Sequence, residues 1–155
     1  MVGNACFMSI IVYMIAVWGG TENYIIKAVQ VMQNKAARSV TKKTWYTPTH
    51  TLLQQCNWLS IKQLIFYHTV LQVWKVRTDT MPVYINSKIQ LAITRSASEG
   101  TLRVPIVEKS LSSKSFMVRS ATMWNTVPTS IRSIKKFESF KRKLKQWTKA
   151  NIEIE

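Results

Sequence analysis

A mostly α-helical chain, with one small β-hairpin and a basic amphipathic helix at its end, is the fold class predicted here. Three observations predict it. Tyr24, Ile25, Ala28, Val29, Met32, Ala36 and Val40 recur at three- and four-residue spacing. SIKQ, at Ser60 to Gln63, is a capping box, in which serine and glutamine side chains satisfy each other's free backbone amides. Phe137, Phe140, Leu144 and Trp147 stand at i, i+3, i+7 and i+10, a single helical stripe.

The elements are expected in this order. Residues 5–18 are nearly all apolar, but fourteen residues span only about 21 Å of helix against a hydrocarbon core of about 30 Å. No positive n-region precedes them and VWGG makes a poor cleavage site, so they read as a buried helix rather than an anchor or signal peptide. Its covering partners are expected to lie outside this chain. After Gly19-Gly20 a second helix is expected from near Thr21, with Lys27, Lys35 and Arg38 largely opposite its apolar side. TKKTWYTP breaks that pattern. Pro48 behind Thr47 then suits the first turn of a short helix through Leu52, Leu53 and Cys56.

From Ser60 the next helix runs to about Val76. Ile61, Leu64, Ile65, His68 and Leu71 mark one face, and Phe66, Tyr67, Val70, Val73 and Trp74 make much of the rest apolar. Such a helix is buried among several partners. Pro82, a Ser/Thr-rich run and Gly100 mark a connector. TLRVPIV (101–107) and SKSFMVR (113–119) carry β-branched and aromatic residues in short runs, which predicts the hairpin. The final helix is expected from about Ser133. The organisation is therefore 1–78 helical and apolar, 79–100 connector, 101–150 hairpin plus basic helix, and 151–155 tail.

Charge sets the function class. The chain has 22 basic and 7 acidic residues, a formal net charge of +15. From Leu102 to Ala150 there are twelve basic residues and two acids, whereas the first 26 residues contain no Lys or Arg. This imbalance favours a polyanion, either nucleic acid or an anionic membrane surface. Arg132, Lys135, Lys136, Lys141, Arg142, Lys143 and Lys145 are the candidate nucleic-acid-binding residues. The aromatics interleaved with them follow one helical face, so they are assigned to the core rather than to base stacking.

Enzymatic chemistry finds no foothold. Asp79 is the only aspartate, and the six glutamates show no paired spacing that would hold two metal ions. No phosphate-cradling glycine loop, GxSxG or CxxC is present, and His50 and His68 lie at no zinc-ligand spacing with Cys6 or Cys56. No catalytic residue, metal ligand or cofactor is assigned. The two thiols read as buried ones in a reducing compartment, and the chain is expected inside the cell, in nucleus or cytoplasm.

YMIAVWGGT, VMQNKAARSVT and YTPTHTLLQQCNWLSIKQLIFYH strongly resemble the region just downstream of the polymerase core in non-LTR (LINE-type, jockey-like) retrotransposon reverse transcriptases. TRS at Thr94 to Ser96, LRVP at Leu102 to Pro105, KSF at Lys114 to Phe116, WNTVPTSIR and SFKRKLKQW continue the resemblance in the family's order, from about Tyr13 to Trp147. The resemblance implies a carboxy-terminal, non-catalytic segment of an endonuclease–reverse transcriptase, with residues 1–78 as the tail of its thumb or post-thumb region. Such a segment helps to grip template RNA or target DNA, and the remainder of the reverse transcriptase is its other partner. The family's Tyr-x-Asp-Asp motif and CCHC zinc knuckle have no counterpart here, so RNA-directed DNA polymerase activity belongs to the full-length protein, and Met1 is expected to be an internal start. Three alternatives stay open: a membrane-associated basic protein, a repurposed protein-interaction module and a non-functional relic.

Overall fold

A computed structural model describes residues 8–78, 100–106 and 114–152. Residues 8–12 are helical, and along the chain follow α1 (Ile15–Trp18), α2 (Asn23–Thr41), α3 (Thr49–Cys56), α4 (Ile61–Arg77), α5 (Phe116–Thr126), α6 (Thr129–Arg132) and α7 (Phe137–Asn151). Helix α4 is the axis on which α1, α2, α5 and α7 pack. Twelve of its seventeen residues are buried, which leaves it no continuous solvent face, as its apolar surround predicts.

The start of α4 is pinned by side chains. Gln63 N–H donates to Ser60 Oγ (3.3 Å) and Ser60 N–H donates to Gln63 Oε1 (3.1 Å), completing the capping box. A third free amide, that of Ile61, donates to Gln30 Oε1 on α2 (2.8 Å). Beside it, the buried Gln33 donates through Nε2 to the Leu59 carbonyl (2.8 Å).

Those two glutamines explain why α2 is turned differently from its sequence pattern. The side of α2 that meets α3 and α4 carries Ile26, Gln30, Gln33 and Ala37. Of the expected inner stripe, Val29 and Ala36 pack at the core's edge, whereas Tyr24 and Met32 are 72% and 60% exposed and Val40 is exposed too. The helix faces inward where its amides can satisfy the backbone of the α3–α4 turn, because an unpaired buried carbonyl costs more than an exposed methionine. Helix α3 starts one residue later than expected, with Pro48 itself at the N-cap.

The expected hairpin is not found, and among the described residues no β-strand is present. Phe116 to Arg119, expected in its second strand, form the first turn of α5 instead. Ser120, Ala121 and Trp124 bury one face of that helix. In the first segment Leu102 is held by a side chain of α5. Leu102 N–H donates to Asn125 Oδ1 and Asn125 Nδ2 donates to the Leu102 carbonyl, both at 2.9 Å. One side-chain amide thus bonds both backbone groups of Leu102. Trp124 Nε1 donates to the Gly100 carbonyl (2.9 Å), and Gly100 has φ 71°, with Arg77 packed where a Cβ would stand. Most of the expected 79–100 connector, residues 107–113 and the end of the expected tail lie outside the described residues.

The amino-terminal stretch is one-sided rather than enclosed. Met14 in the left-handed region (φ 52°) breaks it after 8–12. Ile11, Ile15 and Ala16 are buried, while Ile10, Tyr13, Met14 and Val17 face out. Among the described residues no helix is long and apolar enough to cross a membrane.

Candidate nucleic-acid interface

Helix α7 starts at Phe137, four residues later than expected, after the short α6 and a non-helical 133–136. Phe140 and Leu144 are fully buried, while Phe137 and Trp147 pack at the core's edge. The Phe140 ring stacks on Trp74 of α4 (centroids 5.6 Å, 24°) and approaches Trp124 of α5 (6.1 Å). Phe137 meets Trp74 at 5.1 Å and Trp147 meets Phe66 at 5.6 Å. These rings are engaged within the core, in keeping with their assignment to it from spacing.

The cations divide by position. At about 100° per residue, Lys141, Arg142, Lys145 and Lys149 share one flank of α7. Lys143 lies about 200° of rotation beyond Lys141, on the far flank, and is exposed. Lys135 and Lys136 are exposed ahead of the helix, with Lys136 at the N-cap. Arg132 is turned inward, donating from Nη1 to Thr101 Oγ1 (3.3 Å) and from Nη2 to Thr129 Oγ1 (3.2 Å). Of the seven candidates, the fold therefore gathers Lys141, Arg142 and Lys145. It adds Lys149, which had not been singled out although it continues the four-residue spacing. Lys149 Nζ donates to Asn57 Oδ1 on the α3–α4 turn (2.7 Å).

Between this flank and the body lies an open cleft of about 640 Å³. One wall is Lys141, Arg142, Lys145 and Glu138; the other is residues 56–59 with Tyr67 and His68 of α4. Among the described residues Glu138 is the only carboxylate lining it. From Asn23 to Thr78 the sequence contains eight basic residues and no acid, so the wall opposite α7 offers the cations no compensating charge. Burial, then the charges of Lys149 and Lys141, hold the Lys145 ammonium below the usual lysine range. Burial and then the Glu138 carboxylate push the Tyr67 phenol up to about 12. Among the described residues no group of three His, Cys, Asp or Glu could hold a metal ion. Cys56, at the cleft edge, has its thiol raised by burial.

His68 gives a pH signature. Burial, then Lys75 and Lys141, lower its pKa to about 4, and its ring lies edge-on to Tyr67 at 5.2 Å, with Glu138 in the same cleft. Above pH 6.5 the imidazole is neutral in folded and unfolded chains alike. Between 6.5 and 4 the unfolded chain binds a proton that the folded one refuses, so stability falls as pH falls, by roughly 3 kcal/mol in all. Urea unfolding at pH 7 and at about pH 4 is expected to show this loss. His68→Gln should remove most of it, and a variant that keeps the full slope would contradict the assignment.

No family model, curated protein or solved structure matches the chain.

Proposed function

We propose that the chain is a nucleic-acid-binding segment that holds RNA or DNA by charge, through the cationic flank of α7. The observation that carries this reading is the gathering of Lys141, Arg142, Lys145 and Lys149 on one flank, beside a cleft that among the described residues has a single carboxylate. Lys141 and Lys149 are separated by about 12 Å of helix rise. Measured along the axis of a duplex, that length covers three to four base-pair rises of about 3.4 Å each. With its aromatics engaged inside the core, this flank recognises the backbone rather than the bases.

The lineage proposed for it is the carboxy-terminal, non-catalytic part of a non-LTR retrotransposon reverse transcriptase, and it rests on the ordered blocks of the sequence. Several of those blocks are structural partners, which gives their co-occurrence a physical reason. Leu102 of LRVP is held by Asn125 of WNTVP, and Phe140 of SFKRKLKQW packs on Trp124. The rest of the polyprotein, which would supply polymerase activity, is the proposed partner for the outward Ile10, Tyr13, Val17, Tyr24 and Met32.

The competing membrane reading is separated by one comparison at equal salt. Labelled RNA and DNA duplexes are expected to bind, while flotation with phosphatidylserine vesicles should leave most of the protein behind. Flotation without nucleic-acid binding would overturn the proposal.

A further inference from the structure

The loop between α2 and α3 carries a feature that the charge reading does not use. Thr47 N–H donates to the Thr44 carbonyl (3.2 Å), closing a turn whose two central residues are Trp45 and Tyr46. Such positions are normally filled by Gly, Pro, Asn, Asp or Ser, each for a backbone reason that neither aromatic supplies. Both rings stand in solvent, 82% and 70% exposed, and neither belongs to a core cluster. They meet edge to face at 5.7 Å and 81°, which leaves broad ring surface free.

The turn is held from behind. Arg38 Nη2 donates to the Thr47 carbonyl (3.4 Å), and the Lys43 amide donates to the Arg38 carbonyl (3.3 Å). Lys42, in the left-handed region at φ 52°, closes α2. The aromatic pair is thus presented on a pre-formed support, which lowers the ordering cost of binding. Lys42 and Lys43 are exposed immediately before it, Lys35 is exposed on α2, and no acid occurs between Asn23 and Thr78.

We infer that Trp45 and Tyr46 form a base-stacking site for single-stranded nucleic acid, with Lys42 and Lys43 placed for its phosphates. This rests on the nucleic-acid reading of α7 and extends it to a second contact beyond the far end of α3, a helix about 12 Å long. Open rings beside cations are how sequence-tolerant single-strand binders hold bases. Paired bases inside a duplex present no free face to such a ring. Lipid insertion is less well served, because the rings are flanked in the chain by Thr44 and Thr47 and preceded by Lys42 and Lys43 rather than by aliphatic residues.

The test uses the whole chain, an oligo(dT) strand, a DNA duplex and phosphatidylserine vesicles. Trp45→Ala is expected to weaken oligo(dT) binding roughly 5- to 150-fold, the range of one lost stack, and to leave duplex binding within about twofold. Its salt slope should match the wild type, because no charge is removed. Trp45→Phe should recover most of the loss. An unchanged oligo(dT) affinity, or equal losses on oligo(dT) and duplex, overturns the stacking site while leaving the α7 reading intact. Vesicle binding that depends on Trp45 without a loss on oligo(dT) overturns it in favour of lipid. If the wild type binds neither strand nor duplex, both readings fall together.

Discussion

Phe140→Ala is expected to destabilise the fold by about 3–5 kcal/mol, the usual cost of emptying a buried aromatic site. Phe140 is fully buried and joins three helices through one ring, stacking on Trp74 of α4 and approaching Trp124 of α5. A domain with a total stability of about 5–15 kcal/mol loses a large share of it in this one change. Phe140→Asp is expected to prevent folding, since it also buries a carboxylate with no cation provided for it. Lys143→Ala, three residues on and exposed, should stay within about 0.5 kcal/mol. Urea unfolding followed by circular dichroism checks all three. A Phe140→Ala loss under about 1 kcal/mol would mean that α7 does not pack on α4.

How legible this was in the sequence varies by element, for physical reasons. The local signals were reliable where they concerned backbone amides or a continuous apolar surround. The Ser60 capping box and the enclosed α4 are both found. Helix α2 was misread because periodicity shows that a helix has two faces without saying which one meets the core. The long-range bonds of Gln30 and Gln33 decide that, and no local rule contains them. The hairpin failed for a similar reason. Phe116, Met117 and Val118 suit a strand locally, yet Ser120, Ala121 and Trp124 continue from Phe116 at helical spacing, and Asn125 bonds both backbone groups of Leu102 from that helix. In the candidate interface, composition located the basic helix, and helical geometry explains why Lys141, Arg142 and Lys145 share a flank that Lys143 does not. Lys149 was reachable by extending the four-residue spacing. The inward turn of Arg132 was not, because it depends on Thr101, distant in sequence.

The second large effect belongs to the charge on α7. Replacing Lys141, Arg142, Lys145 and Lys149 together by glutamine is expected to weaken duplex binding by a few hundred- to a few thousandfold at about 0.1 M salt. This is the counterion-release contribution of four phosphate contacts, counted from about 1 M. The fold should tolerate the change, since Lys141, Arg142 and Lys149 are exposed and Lys145 is only partly covered. Lys135 and Lys136 to Gln, ahead of the helix and off the flank, is expected to cost far less. Equal losses per charge removed, in log affinity, would mean that net charge matters and the gathered flank does not.

The central claim is that a defined set of cations on one helix flank grips the phosphate backbone. Its most direct test is the affinity of the unaltered chain for a DNA duplex as a function of salt, with the fourfold glutamine variant measured beside it. The plot of log affinity against log salt is expected to be at least as steep as about −3 to −4, so that binding weakens at least about 60- to 250-fold between about 50 and 200 mM. The variant's line should be flatter by about the same 3 to 4 units. A wild-type line that is nearly level, or a variant line parallel to it, would contradict the account.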